Sequence, residues 1–464
     1  MNRTLTLLTA LLLAPLAGLQ GAEEPKPAGK TQPNVIVILA DDLGYECIGS
    51  NGGKSYRTPN VDRLAREGVR FEHCYAQPNC TPTRTQLMTG LSNVRNYVSF
   101  GELEKSQTTF GHIFSQAGYA TCIAGKWQLG SKDPGLPKHF GFDEHCLWAH
   151  MGRGERYANP SLNVNGEFKT FEGKYGPDIC QEFVLDFIRR TRSKPFFVYY
   201  PMLLTHGGYE ATPDSVDWGK PTARSRELGQ QHFADMVAYM DKQIGALTRE
   251  LEALGLISNT LILFTGDNGT GRGAVSEIEG GGEMAGEKGS TTRNGMHVPL
   301  IASWPGRIAA GKVCPDLVDM TDFLPTLCDA TGVRAPEGLM FDGRSFLPQM
   351  CGQKGDPREW IYSYWVPLRS NQTAHVGTRG AIEQAFDHHF KLYSTGEFFN
   401  LQTDPEEQSP QRIIELKGEA ALASRRLQAA LEQFKDARPA SLAAPRTPEE
   451  KKKDRKRNGK PENQ

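Results

Sequence analysis

The most specific chemical pattern in the chain is formed by Cys80, Pro82 and Arg84. The proline fixes φ near the start of a helix, where its missing N–H costs nothing. Cys80 is therefore expected just before a helix N-terminus, whose partial positive charge favours anions and an activated nucleophile. Arg84 lies one turn further along and can reach back over the same face. The pattern predicts an anion-binding nucleophile, although these residues alone are equally compatible with a buried structural thiol.

Two pairs of oxygen-bearing side chains follow apolar, β-branched runs at residues 34–40 and 259–265. The pairs are Asp41 with Asp42 and Asp267 with Asn268. Such runs are typical of strands buried on both faces of a parallel or mixed sheet, and open α/β sheets bind ligands at their strands' carboxyl ends. Oxygen-only ligands favour Ca²⁺ or Mg²⁺ over zinc. Each pair taken alone could instead form a turn.

Three further side chains that can donate hydrogen bonds lie near other predicted strand ends or loops. Lys126 follows the predicted strand 118–124, His206 follows the strand 195–200, and Lys288 follows a glycine-rich loop at 271–286 that is expected to be flexible. Solvated lysines and loop histidines are common, so none is informative alone. Their joint occurrence with a metal site suits a tetrahedral oxyanion such as sulfate or phosphate.

Several segments, in this order along the chain, together resemble the sulfatase family. They are residues 35–42, the Cys80 motif, residues 125–130 and 266–269, the Lys288 segment with Val298-Pro299-Leu300, and residues 397–405. The similarity extends roughly from Asn34 to Gln408. It implies an α/β fold like that of alkaline phosphatase, with a large mixed β-sheet flanked by helices and a smaller C-terminal α+β domain.

The resemblance also implies a chemistry for each matching residue. Cys80 would be converted after translation to formylglycine (3-oxoalanine), whose hydrate is the nucleophile. Arg84 would stabilise this hydrate. Lys126 and Lys288 would bind the sulfate oxygens, and His206 would contact sulfate and protonate the leaving alcohol. One Ca²⁺ ion would be held by Asp41, Asp42, Asp267, Asn268 and the modified Cys80.

Gln128 is the position at which the chain departs from the family pattern, which usually has histidine there. Glutamine can donate and accept hydrogen bonds but cannot take a proton at neutral pH. The departure affects the expected turnover more than the expected binding of sulfate. Two alternatives to a sulfuric ester hydrolase stay open, the first because such enzymes share the fold, the metal and the anion pocket, and the second because of Gln128. One is a phosphodiesterase or phosphonate hydrolase, and the other is a non-catalytic sulfoglycan-binding protein.

The charge and cysteine content of the 464 residues narrow the class of protein. The formal net charge is −1, so no global field attracts the chain to nucleic acid. Nine cysteines occur without close C-x-x-C spacing, which argues against a zinc site or a disulfide framework. An apolar run near the N-terminus is short for a membrane span and is typical of a secretory signal peptide.

The predicted organisation is a signal peptide (1–22), a linker (23–32), a catalytic domain (33–347), a C-terminal subdomain (348–436) and a basic disordered tail (437–464). We expect a secreted or periplasmic enzyme without stable membrane insertion. Its expected partners are a sulfated small molecule or glycan, with carbohydrate sulfate favoured by export, and a formylglycine-generating enzyme that acts before folding.

The candidate site residues can meet only if the fold brings the ends of several strands together. Further strands are predicted at 69–75 and 298–303, and helices at 58–68, 110–117, 179–190, 224–254 and 319–330. Residues 131–178 show little periodicity and are expected to be loops that form a substrate surface. In the C-terminal subdomain, strands are predicted at 360–365, 381–385 and 390–393, a strand and turn at 397–405, and a helix at 413–434.

Overall fold

A ten-stranded mixed β-sheet forms the centre of the fold, and a four-stranded antiparallel sheet lies nearer the C-terminus. The computed structural model describes residues 32–130, 132–220, 226–367 and 380–443. The strands are β1 (Asn34–Ala40), β2 (Val69–Tyr75), β3 (Ala120–Lys126), β4 (Glu144–Trp148), β5 (Ser161–Val164), β6 (Glu167–Thr170), β7 (Phe196–Pro201), β8 (Thr260–Gly266), β9 (Val275–Glu277), β10 (Glu283–Ala285), β11 (His297–Ser303), β12 (Lys312–Asp319), β13 (Ile361–Trp365), β14 (Ile382–Phe386), β15 (Phe390–Tyr393) and β16 (Phe398–Asn400).

The helices flank the large sheet or pack on the small one. They are α1 (Pro59–Glu67), α2 (Cys80–Thr89), α3 (Asn93–Asn96), α4 (Phe110–Gln116), α5 (Leu136–His139), α6 (Gly176–Thr191), α7 (Arg226–Ala253), α8 (Arg293–Met296), α9 (Phe323–Thr331), α10 (Leu347–Met350), α11 (Gly418–Phe434) and α12 (Ala440–Ala443). The fold class predicted from the sequence is confirmed by the two sheets and their helices.

The strand order of the large sheet brings several carboxyl ends to one edge. The order is β12-β2-β11-β8-β1-β7-β3-β4-β5-β6. β1 lies between β8 and β7 and is parallel to both, and β3 continues the parallel pairing to β7 and β4. The polar residues that follow these parallel strands therefore meet at a single edge of the sheet.

The sequence of β1 explains why the sheet is centred there. All seven residues of β1 are buried, and successive side chains point to opposite faces. Ile36 and Ile38 pack in the core on one face of the sheet, and Val35, Val37 and Leu39 pack in the core on the other. A strand that is apolar on both faces can occupy only the middle of a layered fold.

The small sheet has the order β13-β14-β15-β16, with every neighbouring pair antiparallel. Helix α11 covers it, because Ala423 and Leu427 pack on Phe390 and Leu392 in one buried cluster. Helix α10 buries Met350 in the core of the large sheet, and the small sheet starts at Ile361. We therefore propose that the domain boundary lies between these two positions, slightly later than residue 347.

The prediction of loops at residues 131–178 is wrong, because this region contains α5, β4, β5, β6 and the start of α6. Strands β5 and β6 have four residues each, and all of β6 is exposed. An exposed edge strand of this length carries no apolar run or alternation that would identify it. β4 extends the parallel sheet and contributes directly to the site described below.

Four smaller expectations also require correction. Strand β12 was not predicted, since its charged residues and Pro315 are unusual for a strand and are tolerated at the edge of the sheet. The glycine-rich loop contains the short hairpin β9–β10. Cys80 is the first residue of α2 rather than the residue before it. Helix α12 lies within the stretch 437–464, which was predicted to be disordered.

The predicted signal peptide, residues 23–31 of the linker and residues 444–464 of the basic tail lie outside the described residues. Within the described segments, no helix combines the length and apolarity that a membrane crossing requires. All nine cysteines are unpaired, and the thiols of Cys74 and Cys122 are buried in the core, where the sequence predicted them.

Candidate active site

The two predicted ligand pairs lie side by side because their strands are neighbours. Ala40 at the end of β1 pairs in register with Gly266 at the end of β8, so Asp41 and Asp267 leave adjacent positions of the sheet. The two backbone segments approach closely here, since a Cβ on Gly266 would lie 2.2 Å from the carbonyl oxygen of Leu43. The Asp42 N–H donates to Asp267 Oδ1 over 3.0 Å, which joins the two pairs.

Cys80 begins the buried helix α2 at the same edge of the sheet. All ten residues of α2 are buried, and Cys80 is 1 % exposed. Asn79 precedes the helix in an extended conformation, and its side-chain oxygen accepts a hydrogen bond from Trp365 Nε1 over 2.9 Å. The thiol therefore lies at the positive end of a helix dipole, inside the protein.

Arg84 binds the second ligand pair from one turn further along α2. Its Nη2 and Nε lie 2.7 and 3.2 Å from Asp267 Oδ2, and Nη1 donates to the carbonyl oxygen of Lys126 over 3.0 Å. Burial alone would lower the pKa of Arg84, but the carboxylate of Asp267 raises it above its usual value. Burial and the charge of Asp41 raise the pKa of Asp267 to about 6.

Asp41 is surrounded by cations. Lys126 Nζ lies 2.6 Å from Asp41 Oδ1, Arg156 Nη1 lies 3.2 Å from Asp41 Oδ2, and Arg84 Nη2 lies 3.6 Å from Asp41 Oδ1. Burial opposes ionisation of Asp41, but Lys126 and the other charges hold its pKa well below the usual range. Asp41 is therefore a carboxylate at neutral pH.

Asp42 has a second set of partners, different from those of Asp41. Lys288 Nζ lies 2.6 and 2.7 Å from its two carboxylate oxygens, and His206 Nε2 lies 3.8 Å from Oδ2. Burial opposes the charge of Asp42, but Lys288 holds its pKa below the usual value. The φ of Asp42 is 62°, a left-handed conformation that aspartate adopts more readily than most residues.

His206 lies on the more open side of the pocket, with a quarter of its side chain exposed. Its loop is attached to β1, because Thr205 N–H donates to the carbonyl oxygen of Asp41 over 2.7 Å. Burial lowers the pKa of His206 to about 4, with the nearby carboxylates opposing this shift. The imidazole of the free protein is therefore neutral at pH 7.

The donor set fits a hard cation. Asp41, Asp42 and Cys80 each offer a ligand atom, and these atoms lie within 4.8 Å of one another. Asn268 Nδ2 donates to Asp42 Oδ1, whereas Asn268 Oδ1 is buried and has no hydrogen-bond partner among the described residues. A buried oxygen without a partner beside two carboxylates is what a Ca²⁺ site requires. Asp267 lies outside this close group, and its role as a ligand stays a prediction.

Gln128 follows β3 in a left-handed conformation with a φ of 50°. Its side-chain oxygen Oε1 is buried and meets no hydrogen-bond donor in the described part of the chain. A buried, unused acceptor two residues after Lys126 fits a side chain that orients a ligand's hydroxyl group. His145 and His150 bind elsewhere, to Asn163 Oδ1 and to the carbonyl oxygen of Asp133.

Arg156 is the main site residue that the sequence did not predict. It lies between β4 and β5, is 8 % exposed, and contacts Asp41. Its guanidinium also lies over the ring of Trp148, with Cζ 3.8 Å from the ring centroid. The sequence around it is rich in glycine and arginine, so nothing distinguishes a buried arginine from a solvated one. The only signal was the general expectation that this region borders the substrate.

Cys80 at a helix N-terminus, beside ligand atoms that fit a cation and beside several lysine and arginine side chains, fits an enzyme that hydrolyses a charged ester. Comparison with protein-family models identifies the class of enzyme. The family model described as Sulfatase matches residues 33–333, and the model described as N-sulphoglucosamine sulphohydrolase, C-terminal, matches residues 287–436. The chain belongs to the sulfatase family and is a sulfuric ester hydrolase.

Individual relatives agree with this assignment. N-acetylgalactosamine-6-sulfatase of Mus musculus is 32 % identical over 391 residues, which cover 76 % of this chain and 72 % of that protein. Arylsulfatase A of Bos taurus is 31 % identical over 423 residues, covering 81 % and 79 %. One similar solved structure is a complex with its substrate D-glucosamine-2-N,6-O-disulfate. It has a TM-score of 0.70 and 22 % identity, covers 88 % of this chain and 98 % of its own, and shows a shared fold.

Proposed function

We propose that this sulfatase is exported and cleaves a carbohydrate sulfate ester, using formylglycine formed from Cys80 and one Ca²⁺ ion. The observation that carries the proposal is the close group of ligand atoms from Asp41, Asp42 and Cys80, within 4.8 Å of one another. A thiol beside two carboxylates has no evident structural purpose, whereas an oxygen-bearing derivative at the same place would complete an oxygen-ligand site.

Burial of Cys80 supports modification before folding. The residue is 1 % exposed and begins a helix whose ten residues are all buried. A second enzyme could not reach this side chain in the folded protein. We therefore propose that the formylglycine-generating enzyme acts on the unfolded chain.

The residues that would hold Ca²⁺ are Asp41, Asp42, Asn268 and the modified Cys80, with Asp267 beside them. When bound, the ion supplies a positive charge that polarises oxygen, and the hydrated aldehyde supplies the nucleophilic hydroxyl. Arg84 holds Asp267 through two contacts and thereby fixes this side of the pocket. Its guanidinium also places a permanent positive charge next to the start of α2.

Lys126 and Lys288 are the proposed donors to the sulfate oxygens. Each is held by a different carboxylate, Lys126 by Asp41 and Lys288 by Asp42. Two ammonium groups held in place by carboxylates are ready to stabilise charge on a tetrahedral anion without reorganising.

His206 is the proposed proton donor to the leaving alcohol. Its ring is neutral in the free protein because burial lowers its pKa to about 4. A bound sulfate ester adds negative charge nearby, and an opposite charge favours the protonated form. The partial exposure of His206 supports this role, because a leaving alcohol needs a path to solvent.

A carbohydrate substrate is supported by the relatives. One is named N-acetylgalactosamine-6-sulfatase, and the solved complex holds D-glucosamine-2-N,6-O-disulfate. Export is supported by the apolar run within residues 1–22, which is typical of a signal peptide. Sequencing the N-terminus of the protein recovered outside the cytoplasm tests both the export and the cleavage near residue 22.

Mass spectrometry of the peptide that contains residues 79–84 tests the modification. Conversion of the thiol to an aldehyde lowers the mass by about 18 Da. The matched control is the peptide that contains the buried Cys74, which must keep its full mass. Unmodified Cys80, in a host that modifies another sulfatase expressed in parallel, would contradict the proposal.

Release of product from paired esters tests the reaction. We expect sulfate release from sulfated mono- and oligosaccharides, faster than phosphate release from the matching phosphate esters. Faster cleavage of phosphate diesters or phosphonates would instead indicate a phosphodiesterase or phosphonate hydrolase. Tight binding of a sulfated sugar without release of sulfate would indicate a binding protein.

A further inference from the structure

The guanidinium groups of two arginines lie over the ring of Trp148, beside the proposed active site. Trp148 ends β4 and pairs in register with Lys126 at the end of β3. It therefore lies next to a lysine that we propose donates hydrogen bonds to the sulfate oxygens. The Cζ atoms of Arg156 and Arg153 lie 3.8 and 5.2 Å from the centroid of the Trp148 ring. Arg156 is buried and Arg153 is exposed, so the two charges extend from the pocket towards solvent.

Arg156 brings more positive charge than the cleavage of one sulfate ester requires. Without it, Arg84, Lys126 and Lys288 already balance the three carboxylates of Asp41, Asp42 and Asp267. A sulfate monoester carries a single negative charge, and a bound divalent cation would add to the positive excess. Arg156 shares the carboxylate of Asp41 with Lys126 and Arg84, so burying this further guanidinium is costly unless an additional negative charge meets it.

Arg153 has no carboxylate partner in the segments that the structure describes. Arg156 reaches Asp41 through Nη1 alone. A planar guanidinium carries five donors in a fork that matches carboxylate and sulfate groups. Both arginines therefore have donors available to a ligand.

The loop that carries the arginines is held in place before any ligand binds. Trp148 Nε1 donates to the carbonyl oxygen of Gly154 over 2.9 Å. The hydroxyl of Tyr157 donates to the carbonyl oxygens of Leu203 and His206 over 3.1 and 2.9 Å. The same loop is thereby joined to the backbone of the proposed proton donor. Such preorganisation lowers the cost of ordering side chains on binding.

We propose that Arg156 and Arg153 determine specificity by binding a second anionic group, a carboxylate or another sulfate, on the substrate whose sulfate is cleaved. The inference rests on the proposed function, because it assumes that the scissile sulfate lies between Lys126 and Lys288. The preferred substrate is then a glycan that carries at least two negative charges within the reach of one or two sugar units.

Matched sugars test the proposal. The probes are an aminosugar 6-sulfate, the same sugar with a second sulfate, and the same sugar linked to a uronic acid. We expect the wild-type kcat/KM to be at least about tenfold higher for one or both dianionic probes, as a charge-assisted hydrogen bond would give. The two dianionic probes distinguish a second sulfate from a carboxylate as the group that is bound.

The variants Arg156→Gln and Arg153→Gln should each reduce this preference about tenfold, mainly through KM. Arg192→Gln, at an exposed position after α6, is the matched control and should retain the full preference. Arg153 does not contact Asp41, so its variant is informative even if Arg156→Gln fails to fold or loses metal. A wild-type enzyme without the preference, or variants that lower kcat/KM equally on all three probes, would overturn the proposal.

Calorimetry separates this proposal from the proposed function. In a Cys80→Ala background, which cannot form the aldehyde, the three sugars can be titrated without turnover. Tighter binding of a dianionic sugar, weakened about tenfold by either arginine variant, supports the assignment even if no probe is hydrolysed. Equal binding of all three sugars in this background would contradict it, whatever the activity of the wild type.

Discussion

The two sides of the active site are built differently. On the sheet side, Asp41, Lys126 and Asp267 stand at the ends of β1, β3 and β8, and all three are almost fully buried. On the loop side, His206 and Lys288 belong to irregular segments, and their side chains are 25 % and 18 % exposed. The same pocket thus combines charges fixed by the core with charges carried by loops.

The loop side depends on contacts from distant parts of the chain. Gly289 N–H donates to the carbonyl oxygen of Pro78, two residues before Cys80. Lys391 Nζ, from β15, donates to the carbonyl oxygen of Thr291 over 2.6 Å and also contacts Glu407. The small sheet therefore supports the segment that carries Lys288. The large sheet therefore fixes the buried charges, whereas the small sheet supports the segment that carries the more exposed Lys288.

The largest expected effect is on the sheet side, from Asp267→Ala. Arg84 would be left buried without its main partner, which typically costs about 3–5 kcal/mol of the free energy of unfolding. Activity should fall by at least about 10²-fold, as after loss of one preorganised electrostatic group, and bound calcium should be lost. Steady-state kinetics, metal analysis and thermal unfolding measure the three consequences.

Asp329→Ala is the control for this prediction, since Asp329 is exposed on α9. It should leave activity, calcium content and unfolding unchanged within about 0.5 kcal/mol. If Asp267→Ala kept both its calcium and full activity, the charges on the sheet side would not be essential to the site, and this prediction would be wrong.

The sheet side was predictable because its signals are local in sequence. Continuous apolar runs identify β1 and β8, and the polar pairs that follow them must lie at the same edge of a parallel sheet. The Cys80 motif is equally local. These features located Asp41, Asp267 and Cys80 before any contact was known.

The loop side was predictable only in part, because its support is long-range. His206 and Lys288 stood out by their places after a strand and a glycine-rich loop, and the family resemblance supplied their roles. Nothing local predicts that Lys391 supports the segment that carries Lys288. The burial of Arg156 depends on Trp148 and Asp41, which come from two other strands. Short polar strands such as β6 were missed for a related reason, since an edge strand needs no apolar pattern.

The next largest effect concerns Gln128, which follows β3 on the sheet side. If the release of sulfate lacks a general base, wild-type enzyme should release alcohol in a burst that is followed by a slower steady state. Gln128→His should then raise the steady-state rate by about 10²-fold, the lower end of what general base catalysis contributes, and should remove the burst. Rapid-mixing kinetics with a chromogenic sulfate ester measures both.

Gln128→Asn is the control, because it keeps an amide but cannot supply a base. Its steady-state rate should not rise above that of the wild type. Linear release of alcohol from time zero, with a rate that Gln128→His leaves unchanged, would show that this position does not limit turnover. The unused acceptor Oε1 would then have only an orienting role.

The smallest expected effect is on the loop side, from Tyr393→Phe in β15. The hydroxyl of Tyr393 contacts Thr291 Oγ1 over 2.8 Å and donates to Glu407, so its loss removes one link to the Lys288 segment. The free energy of unfolding should fall by about 1 kcal/mol, the usual value for one hydrogen bond. If that link positions Lys288, KM for a sulfated sugar should rise a few-fold while kcat changes less, because ground-state binding is affected most.

Tyr362→Phe in the same sheet distinguishes positioning from general destabilisation. Tyr362 also donates to a glutamate, Glu383, over 2.7 Å, but its hydroxyl has no contact with the Lys288 segment in the described part of the chain. Its loss should lower the free energy of unfolding by a similar amount and leave KM unchanged. A KM that rises equally in both variants would mean that the small sheet only stabilises the protein. A rise confined to Tyr393→Phe would mean that the C-terminal subdomain sets the geometry of the more exposed half of the active site.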